Sequence, residues 1–349
     1  MKLVFVLAAP FPSHQGTQVY VRGLARALQA RGHRVTVVAY DLGEGDPGVE
    51  AIRVPVPRGY RRMRSGPDPH KPWIDLRMAA MLSRLDADVF HAHHVEALAA
   101  ALLARRRPLV YHGHTLLGEE LPTYLPRFRR SAALLGRAAD RALPRLASAT
   151  VAVSTGAAHV HARWGCRDVT VLPPGLDADD FPPLAPRREE HTLVYAGNSD
   201  AYQRLDVLYA AMTHLPGWSL RVVTHDPAGF PPGTPLSVAR SWADARALIS
   251  RADVAALPRT LAGGYPVKLL DYLACGVPVV LSRGLARGFP GEVPVDDGDP
   301  VDFARGVREA ARITRRDWAP VLLRSESWDR RAAAMEAVYE RVTAAPGAS

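Results

Sequence analysis

Cysteine is scarce in this chain, with only Cys166 and Cys275 among 349 residues. Two cysteines so far apart offer no disulfide framework, and no spacing of cysteine and histidine marks a metal site. Long apolar runs are also missing, since none reaches the roughly 18 residues that a membrane-spanning helix requires. Neither half carries Gly-x-Gly-x-x-Gly after its first apolar run, which disfavours a dinucleotide-dependent dehydrogenase. The starting hypothesis is therefore a protein without disulfides, metal or redox cofactor.

The first residues combine one lysine with a short apolar run over residues 2–9. Pro10 and Pro12 end that run, and a glycine-containing helix start follows. The pattern predicts a first strand buried on both faces rather than a secretory signal. Together with the low cysteine count, it predicts a cytoplasmic location.

Strand and helix patterns alternate along the whole chain, which is long enough for two hydrophobic cores. Short apolar or β-branched runs predict strands at residues 2–9, 34–40, 88–93, 108–114, 149–154, 169–172, 192–196, 219–224, 254–257 and 278–282. Helical periodicity predicts helices at residues 17–31, 127–146, 205–215, 244–250, 266–275, 301–313 and 328–342. Such alternation indicates parallel strands joined by helical crossovers.

The strand pattern restarts after a proline-rich stretch between residues 173 and 186. This predicts an α/β protein of two Rossmann-like domains, residues 1–173 and 174–327, with a terminal helix over residues 328–343. Parallel sheets bind ligands at the carboxyl ends of their strands, where loops and helix N-termini meet. We therefore expect the site in a cleft between the two domains.

Positive charge is concentrated in the first half of the chain. Residues 1–173 hold 24 Lys and Arg against 13 Asp and Glu, whereas residues 174–349 hold 20 against 22. Residues 58–71 form the longest basic stretch, and shorter clusters lie at 105–107 and 127–130. The first half therefore suits an anionic partner, although a generally arginine-rich composition is an alternative explanation.

The most informative stretch covers residues 263–280, with the sequence GGYPVKLLDYLACGVPVV. Its glycines let backbone amides approach a ligand closely, and Pro266 suits the first turn of a helix. The free N–H groups of that turn favour an anion such as a diphosphate, and Lys268 adds a positive charge. Asp271 lies one to two turns further on and is able to accept hydrogen bonds from ribose hydroxyls. The residues predicted to bind a nucleotide here are Gly264, Tyr265, Pro266, Val267, Lys268 and Asp271.

This stretch resembles the nucleotide-binding signature of the retaining GT-B glycosyltransferases of family four, the group 1 glycosyltransferases. That signature is an acidic residue, a glycine-containing loop, a proline, a second acidic residue and Ala-Cys-Gly-x-Pro-Val-Val. The match is close from Pro266 to Val280, but Gly263 replaces the first acidic residue and Asp271 stands where glutamate is usual. In the family the first carboxylate contacts the donor sugar and the second contacts the ribose, so the resemblance assigns the ribose to Asp271.

The resemblance covers nearly the whole chain and implies the GT-B fold, in which two Rossmann-like domains face each other and a C-terminal helix crosses back to the first. It implies transfer of a sugar from a nucleoside-diphosphate sugar to an acceptor with retention of configuration. No protein nucleophile, metal or other cofactor is expected, and no nucleic acid partner. A lipid-linked acceptor at an anionic inner membrane surface would fit cell-envelope, polysaccharide or glycolipid synthesis. Two alternatives are a sugar-nucleotide epimerase of similar fold and a catalytically weak nucleotide-sugar-binding protein.

A second resemblance lies at residues 195–208, with the sequence YAGNSDAYQRLDVL. The family usually has Gly-Arg after this strand and Lys-Gly before the next helix, and those two basic side chains bind the donor diphosphate. Here Asn198 follows Gly197 at the arginine position, and Gln203 stands at the lysine position. Arg204, one position along, is the candidate for the missing charge, the alternative being a solvated residue at a helix start. The resemblance assigns all four residues to the donor site.

The first half offers one glycine and two histidines as candidate site residues. Gly16 lies between the first strand and the first helix, where this fold brings amides near the donor sugar, although a helix start alone would also explain it. In the family, a histidine at the end of the fourth strand touches the donor sugar and stabilises the reacting centre. The sequence YHGHT at residues 111–115 makes His114 the predicted catalytic residue, with His112 as the alternative.

Three further histidines, His91, His93 and His94, end the preceding strand. Histidines so close raise the prospect of a metal, but in a strand His91 and His93 share one face while His94 takes the other. We interpret them as cleft-lining or structural residues.

Acceptor-site candidates are weaker signals in the same half of the chain. Glu96 and residues 119–120 are candidate bases or else surface carboxylates. The basic residues Arg61, Arg62 and Arg64 are predicted to bind the acceptor or an anionic membrane, where each basic side chain contributes on the order of 1 kcal/mol.

Overall fold

The computed structural model describes residues 1–13, 15–43, 45–61, 63, 66–183, 191–259, 264–313 and 317–344. These residues form two compact units. Unit 1 contains the described parts of residues 1–175, 264–265 and 328–344, and unit 2 contains those of 176–259 and 266–327.

Unit 1 is built on a parallel sheet. Its strands are β1 Lys2–Pro10, β2 Arg34–Tyr40, β3 Glu50–Val54, β4 Val89–His93, β5 Leu109–Gly113, β6 Ala149–Ala152 and β7 Val169–Val171. They lie in the order β3-β2-β1-β4-β5-β6-β7, and every pairing is parallel. The strand order reverses direction beside β1, which is the place where open parallel sheets bind their ligands.

The helices of unit 1 connect these strands and cover the sheet. They are α1 Gly16–Ala30, α2 Lys71–Leu82, α3 Val95–Leu103, α4 Leu117–Tyr124, α5 Arg129–Ala142 and α6 Thr155–Arg163, and the terminal helix, α12 Trp328–Ala344, belongs to the same unit. Helix α1 forms because Val21, Leu24 and Leu28 recur at helical spacing and are fully buried, and the chain turns at Gly32 with φ of 89°.

Strand β1 is buried on both faces, as its continuous apolar run predicts. Val4 and Val6 point to one face and pack in a cluster with Ile74 of α2. Phe5 points to the other face, where its ring lies 4.9 Å from that of His91. The face beneath α1 therefore carries aromatic and imidazole rings, whereas the face beneath α2 carries a larger apolar cluster that includes Tyr40, Phe90 and Tyr111.

Helix α12 is fixed to unit 1 by one large aromatic residue and by ion pairs. The ring of Trp328 lies 5.1 Å from that of Tyr20, and a Cβ on either Gly23 or Gly175 would collide with the Trp328 side chain. The guanidinium of Arg31 also pairs with two acidic residues of this helix, at 2.7 and 2.9 Å. Glycine is required where the indole meets the backbone.

Unit 2 is a second parallel α/β layer. Its strands are β8 Thr192–Ala196, β9 Ser219–Thr224, β10 Leu236–Val238, β11 Val254–Leu257, β12 Val279–Ser282 and β13 Glu292–Val295, in the order β10-β9-β8-β11-β12-β13. Its helices are α7 Leu205–Met212, α8 Trp242–Ile249, α9 Val267–Ala274, α10 Pro300–Ala311 and α11 Trp318–Ser325. Leu193, Val254 and Val280 of the central strands form a core with Phe303 of α10.

The α/β prediction of two Rossmann-like sheets is confirmed, while one predicted helix is wrong in its extent. Residues 127–146 form a regular α-helix only over Arg129–Ala142, with a 3-10 turn at each end. Pro126 and Pro144 explain the difference, because proline has no N–H to donate within a helix. No helix among the described residues is long and apolar enough to span a membrane.

Candidate active site

The loop after β8 brings the backbone of unit 2 against a lysine. Gly197 has φ of 149°, and a Cβ at this position would overlap the Nζ atom of Lys268. Only glycine leaves space for the ammonium group at this strand end. The sequence prediction pairs these two residues in one site, and the structure brings them together.

Lys268 lies in the first turn of α9 and is partly buried. Its Nζ lies 3.4 Å from the hydroxyl of Tyr195 and 5.0 Å from the centre of that ring. Burial, followed by the positive charge of Arg259, lowers the pKa of Lys268 to about 7. A lysine held in this way gains most from a ligand that brings negative charge.

Helix α9 offers backbone donors beside that lysine. Pro266 precedes its first turn, and no side chain caps the helix at this end. Uncapped N–H groups and the helix dipole favour an anion here. Val267 is the first residue of the helix, while Gly264 and Tyr265 are buried and group with unit 1.

Asp271 lies one turn further along α9 and is already engaged. Its Oδ1 atom accepts a hydrogen bond from Arg246 Nη2 at 3.1 Å, and Arg246 also pairs with Asp180 at 3.2 Å. Burial raises the pKa of Asp271, and the charge of Arg246 opposes that rise. One oxygen of the Asp271 carboxylate is thus already hydrogen-bonded within the protein. A contact between Asp271 and the ribose stays a prediction. The sequence analysis did not identify the Asp180–Arg246–Asp271 chain.

Asn198 and Gln203 form a chain of amides rather than a pair of separate phosphate ligands. Gln203 Nε2 donates to Asn198 Oδ1 at 3.0 Å, and Asn198 Nδ2 donates to Asp200 at 2.6 Å. Gln203 is 2% exposed, and its Oε1 atom has no hydrogen-bond partner among the described residues. A buried free acceptor of this kind suits a ligand hydroxyl better than a phosphate.

Arg204 is not joined to this cluster. It adopts the left-handed region with φ of 52° at the start of α7, and its guanidinium makes three hydrogen bonds of 2.9 to 3.2 Å with the carboxylate of Asp206. Arg204 is thus neither in the cluster nor the purely solvated residue of the alternative, because it is at a helix start but bound to Asp206. It does not provide the missing charge at the end of β8 in this structure.

Unit 1 gathers histidines at the carboxyl ends of β4 and β5. His91 Nε2 lies 3.1 Å from His112 Nδ1, and His93 Nδ1 lies 3.0 Å from His114 Nε2. The hydroxyl of Tyr339 on α12 lies 2.7 Å from His91 Nδ1. His91 and His93 lie on one face as predicted, with ring centres 4.4 Å apart. The prediction that His94 takes the other face is wrong, because β4 ends at His93 and His94, with φ of 72°, places its ring 5.0 Å from that of His114.

Burial keeps this histidine cluster neutral. His91, His93 and His112 are fully buried and His114 is 7% exposed. Loss of water lowers the pKa of His91 to about 3 and holds the pKa values of the other three well below the usual range. At neutral pH, His114 is an uncharged imidazole whose Nε2 lies 3.0 Å from His93 Nδ1.

Gly16 is the first residue of α1, and the next residue contacts the histidine cluster. Thr17 Oγ1 lies 2.8 Å from His94 Nε2, and the ring of His94 lies 5.0 Å from that of His114. The two sequence candidates of unit 1 therefore lie close to each other. The catalytic role of His114 stays a prediction.

Three of the histidines have the spacing of a metal site but not its orientation. One ring nitrogen each from His91, His93 and His112 lies within 4.8 Å of the others. The rings of His91 and His93 lie within 17° and 21° of the plane of His112. Nearly parallel rings do not direct their lone pairs to one centre, and the geometry favours a hydrogen-bonded cluster over a metal centre.

The candidate acceptor-site carboxylates of unit 1 have partners. Glu96 pairs with Lys71 at 2.9 Å, and Glu120 accepts a hydrogen bond from Thr115 at 2.5 Å. Asp75, which the sequence analysis did not identify, accepts one from the Tyr40 hydroxyl at 2.5 Å, and burial raises its pKa to about 6.

The basic face of unit 1 also carries exposed apolar side chains. Phe128, Leu134 and Leu135, on and just before α5, are each about two-thirds exposed, at 66 to 67%. Arg127, Arg129 and Arg130 start the same segment. Arg61 is exposed in the loop before α2, whereas Arg62 and Arg64 lie outside the described residues.

The chain is similar to known proteins over most of its length. Residues 14–180 match Glycosyltransferase Family 4, and residues 190–312 match Glycosyl transferases group 1. A phosphatidyl-myo-inositol mannosyltransferase of Mycobacterium tuberculosis (strain CDC 1551 / Oshkosh) is 25% identical over 336 residues, covering 86% of this chain and 84% of the relative.

Solved structures share the fold. Sucrose-phosphate synthase of Thermosynechococcus elongatus has a TM-score of 0.78 at 16% identity, covering 98% of this chain and 99% of that one. Anabaena HepE, in complex with UDP and glucose, has a TM-score of 0.70 at 13% identity, covering 98% and 100%.

The two parallel-sheet units and these structural likenesses define a GT-B fold. The two family matches go further: the chain belongs to glycosyltransferase family 4, within the group 1 glycosyltransferases. The predicted class of enzyme is confirmed, and the epimerase alternative is not favoured.

Proposed function

We propose that this glycosyltransferase takes its sugar from a nucleoside-diphosphate donor and transfers it with retention of configuration. The observation that carries the proposal is the anion site in unit 2, where Lys268, Gly197 and the uncapped start of α9 meet. Such a site suits the diphosphate of the donor. The structure of HepE with UDP and glucose, which shares the fold, supports the choice of ligand.

The residues divide the chemistry between charge stabilisation and positioning. As the donor bond breaks, negative charge grows on the leaving diphosphate, and a protonated Lys268 beside a helix N-terminus stabilises it. His114, held neutral by burial, would hydrogen-bond the donor sugar without competing for the diphosphate. In this scheme the leaving diphosphate helps to deprotonate the acceptor, and no protein nucleophile is required.

Calorimetry with UDP, GDP and ADP on the full chain tests the donor site. We expect one of these nucleotides to bind with clear preference, and Lys268→Ala to weaken it by about 10- to 100-fold, since charged hydrogen bonds contribute about 1.5–3 kcal/mol. Product analysis by NMR with the corresponding sugar nucleotides then reports the anomeric configuration. Binding without turnover on any acceptor would support the binding-protein alternative, and an epimerised donor would support the epimerase.

We further propose that the acceptor is lipid-linked and that unit 1 binds an anionic membrane through α5. The support is the exposed apolar group Phe128, Leu134 and Leu135 beside Arg129 and Arg130. Apolar side chains next to arginines suit the interface of an anionic bilayer. The mannosyltransferase relatives carry phosphatidyl-myo-inositol in their names, which agrees with a lipid acceptor.

Co-sedimentation with liposomes tests this second proposal. Binding should rise with phosphatidylglycerol content and fall with salt, because exposed charges are screened beyond about 8 Å at physiological ionic strength. Replacing Arg127, Arg129 and Arg130 with glutamine should reduce it, and so should replacing Arg61, Arg62 and Arg64. The matched control changes three exposed arginines of unit 2, namely Arg305 and Arg308 on α10 and Arg312 directly after it. Equal losses in all triple variants, or equal binding to neutral vesicles, would refute a specific surface.

A further inference from the structure

The loop after β8 lacks the two basic side chains that the family motif provides. Asn198 and Gln203 occupy those positions and hydrogen-bond to each other, and Arg204 is bound to Asp206. A diphosphate carries more than one negative charge at neutral pH. Lys268 and the start of α9 balance only part of that charge. A second cation would have to come from another strand end.

The neighbouring strand provides one. Arg259 follows β11 by two residues, and β11 pairs in parallel with β8 through Ala255 and Val194. Because parallel strands run in step, this register carries Arg259 and Asn198 to the same level beyond the carboxyl edge. Arg259, two residues after β11, is thus level with Asn198, which stands where the family motif has arginine.

The side-chain contacts agree with this placement. The guanidinium of Arg259 lies 5.5 Å from the centre of the Tyr202 ring. The amides of Asn198 and Gln203 lie against the Tyr202 hydroxyl and offset part of the rise in its pKa that burial causes. Lys268 lies over the Tyr195 ring in the same manner. Arg259 therefore lies over the ring of Tyr202, and Lys268 lies over the ring of Tyr195.

We propose that Arg259 is the second diphosphate-binding cation and, with Lys268, replaces the basic pair that the motif after β8 has lost. The inference rests on the proposed donor function. Arg259 is suited to the role, because a guanidinium presents several donors in one plane and is able to bind two phosphate oxygens at once.

The arrangement has a measurable electrostatic consequence. The charge of Arg259 is the second cause, after burial, of the lowered pKa of Lys268, and Asp200 and Asp271 act in the opposite direction. The Tyr195 phenol beside the ammonium is neutral, since burial raises its pKa further. A bound diphosphate adds negative charge and raises the pKa of Lys268, so binding above about pH 7 takes up a proton.

Calorimetry at pH 8 in HEPES and in Tris, whose ionisation enthalpies differ, counts that proton. The probes are GDP, UDP, inorganic pyrophosphate, and guanosine or uridine. We expect Arg259→Gln to weaken the binding of the diphosphates about 10- to 100-fold, because a charged hydrogen bond is lost. The binding of the nucleosides should not change, and proton uptake should be reduced. Arg259→Lys should recover part of both, and it keeps the test valid if the glutamine variant does not fold. The control is Arg283→Gln, a side chain that is 63% exposed in the same unit.

The outcomes separate this inference from the donor function. If Lys268→Ala weakens GDP or UDP while Arg259→Gln and Arg259→Lys bind them as tightly as the unmodified chain, Arg259 is not a ligand and the donor site stands. Proton uptake unchanged in Arg259→Gln would overturn the inference equally. If no nucleoside diphosphate binds to the unmodified chain, the donor function itself fails. Equal loss of nucleoside and diphosphate would assign Arg259 a structural role.

Discussion

The two units use the carboxyl edges of similar sheets in opposite ways. Unit 1 buries histidines that titrate near neutrality in water but stay uncharged in the fold, as the lowered pKa values of His91 and His114 indicate. Unit 2 holds Lys268 near Arg259, although the charge of Arg259, after burial, disfavours the charged form of Lys268. One edge avoids charge, whereas the other concentrates it.

In the proposed function, the two edges have different roles in the transfer reaction. A neutral, hydrogen-bonded edge is able to orient sugar hydroxyls without attracting the diphosphate. At a cationic edge, the positive charges repel each other in the free protein, and a bound anion relieves that repulsion. Substitutions at one edge should therefore leave the properties of the other edge unchanged.

The largest effect is expected from His114→Ala. Its loss should lower turnover by about 100- to 1000-fold, as removal of one transition-state hydrogen bond does elsewhere, while nucleotide affinity stays almost unchanged. Steady-state kinetics and calorimetry on the same preparation measure both quantities. Full activity in this variant, with loss in His112→Ala, would move the role to His112.

The next effect is on acid stability. Histidines with lowered folded pKa values stabilise the fold fully above the unfolded value of 6.5, and this contribution is lost as the pH falls toward about 3. Each contributes up to about 1.4 kcal/mol per pH unit in that window. The free energy of unfolding, measured with urea between pH 7.5 and 4.5, should therefore depend less steeply on pH for His93→Asn than for the unmodified chain. Exposed His159→Asn is the control, and an equal slope in both variants would contradict the burial argument.

A smaller effect is expected for Asp271→Asn on the ribose side of the donor site. UDP or GDP should bind about tenfold more weakly, by one charge-assisted hydrogen bond, while pyrophosphate binding changes little. Calorimetry with both kinds of ligand measures the ratio. Equal losses would show that the Asp180–Arg246–Asp271 chain, rather than a ribose contact, explains this aspartate.

The last effect concerns the stability cost of the cationic edge. Lys268 has a folded pKa of about 7 against 10.5 when unfolded, so its contribution is present above 10.5 and lost as the pH falls to about 7. Lys268→Met should therefore be more stable than the unmodified chain at pH 7 to 8, and the gain should shrink above pH 10. Thermal melts across this range provide the measurement. A destabilised variant at pH 7 would mean that the ammonium is well solvated.

The sequence predicts the central strands better than the edges of each sheet. Glu50–Val54, Leu236–Val238 and Glu292–Val295 are strands for which the apolar pattern predicts no element. All three lie at sheet edges and keep several positions partly or fully exposed, so they lack the continuous apolar run of a strand such as β1.

The site is predictable where the chemistry is local and not where partners come from distant segments. Gly197, Pro266 and Lys268 lie within motifs and meet in the structure. Arg259 and Arg246 lie in no motif, and their positions depend on strand register and on helix packing across the unit. Arg204 stands one position from the family's basic residue, but its guanidinium binds Asp206, two residues away. The position of a charged residue in a motif therefore does not predict which group it binds.

Helix α12 links the end of the chain to its beginning. During synthesis, residues 1–175 of unit 1 leave the ribosome before unit 2, yet the surface around Tyr20 and Gly23 stays uncovered until Trp328 has been made. Unit 1 is thus begun before unit 2 but completed after it. A stop codon before residue 328 would leave this surface exposed, and a nascent chain would hold it exposed for the whole translation of unit 2.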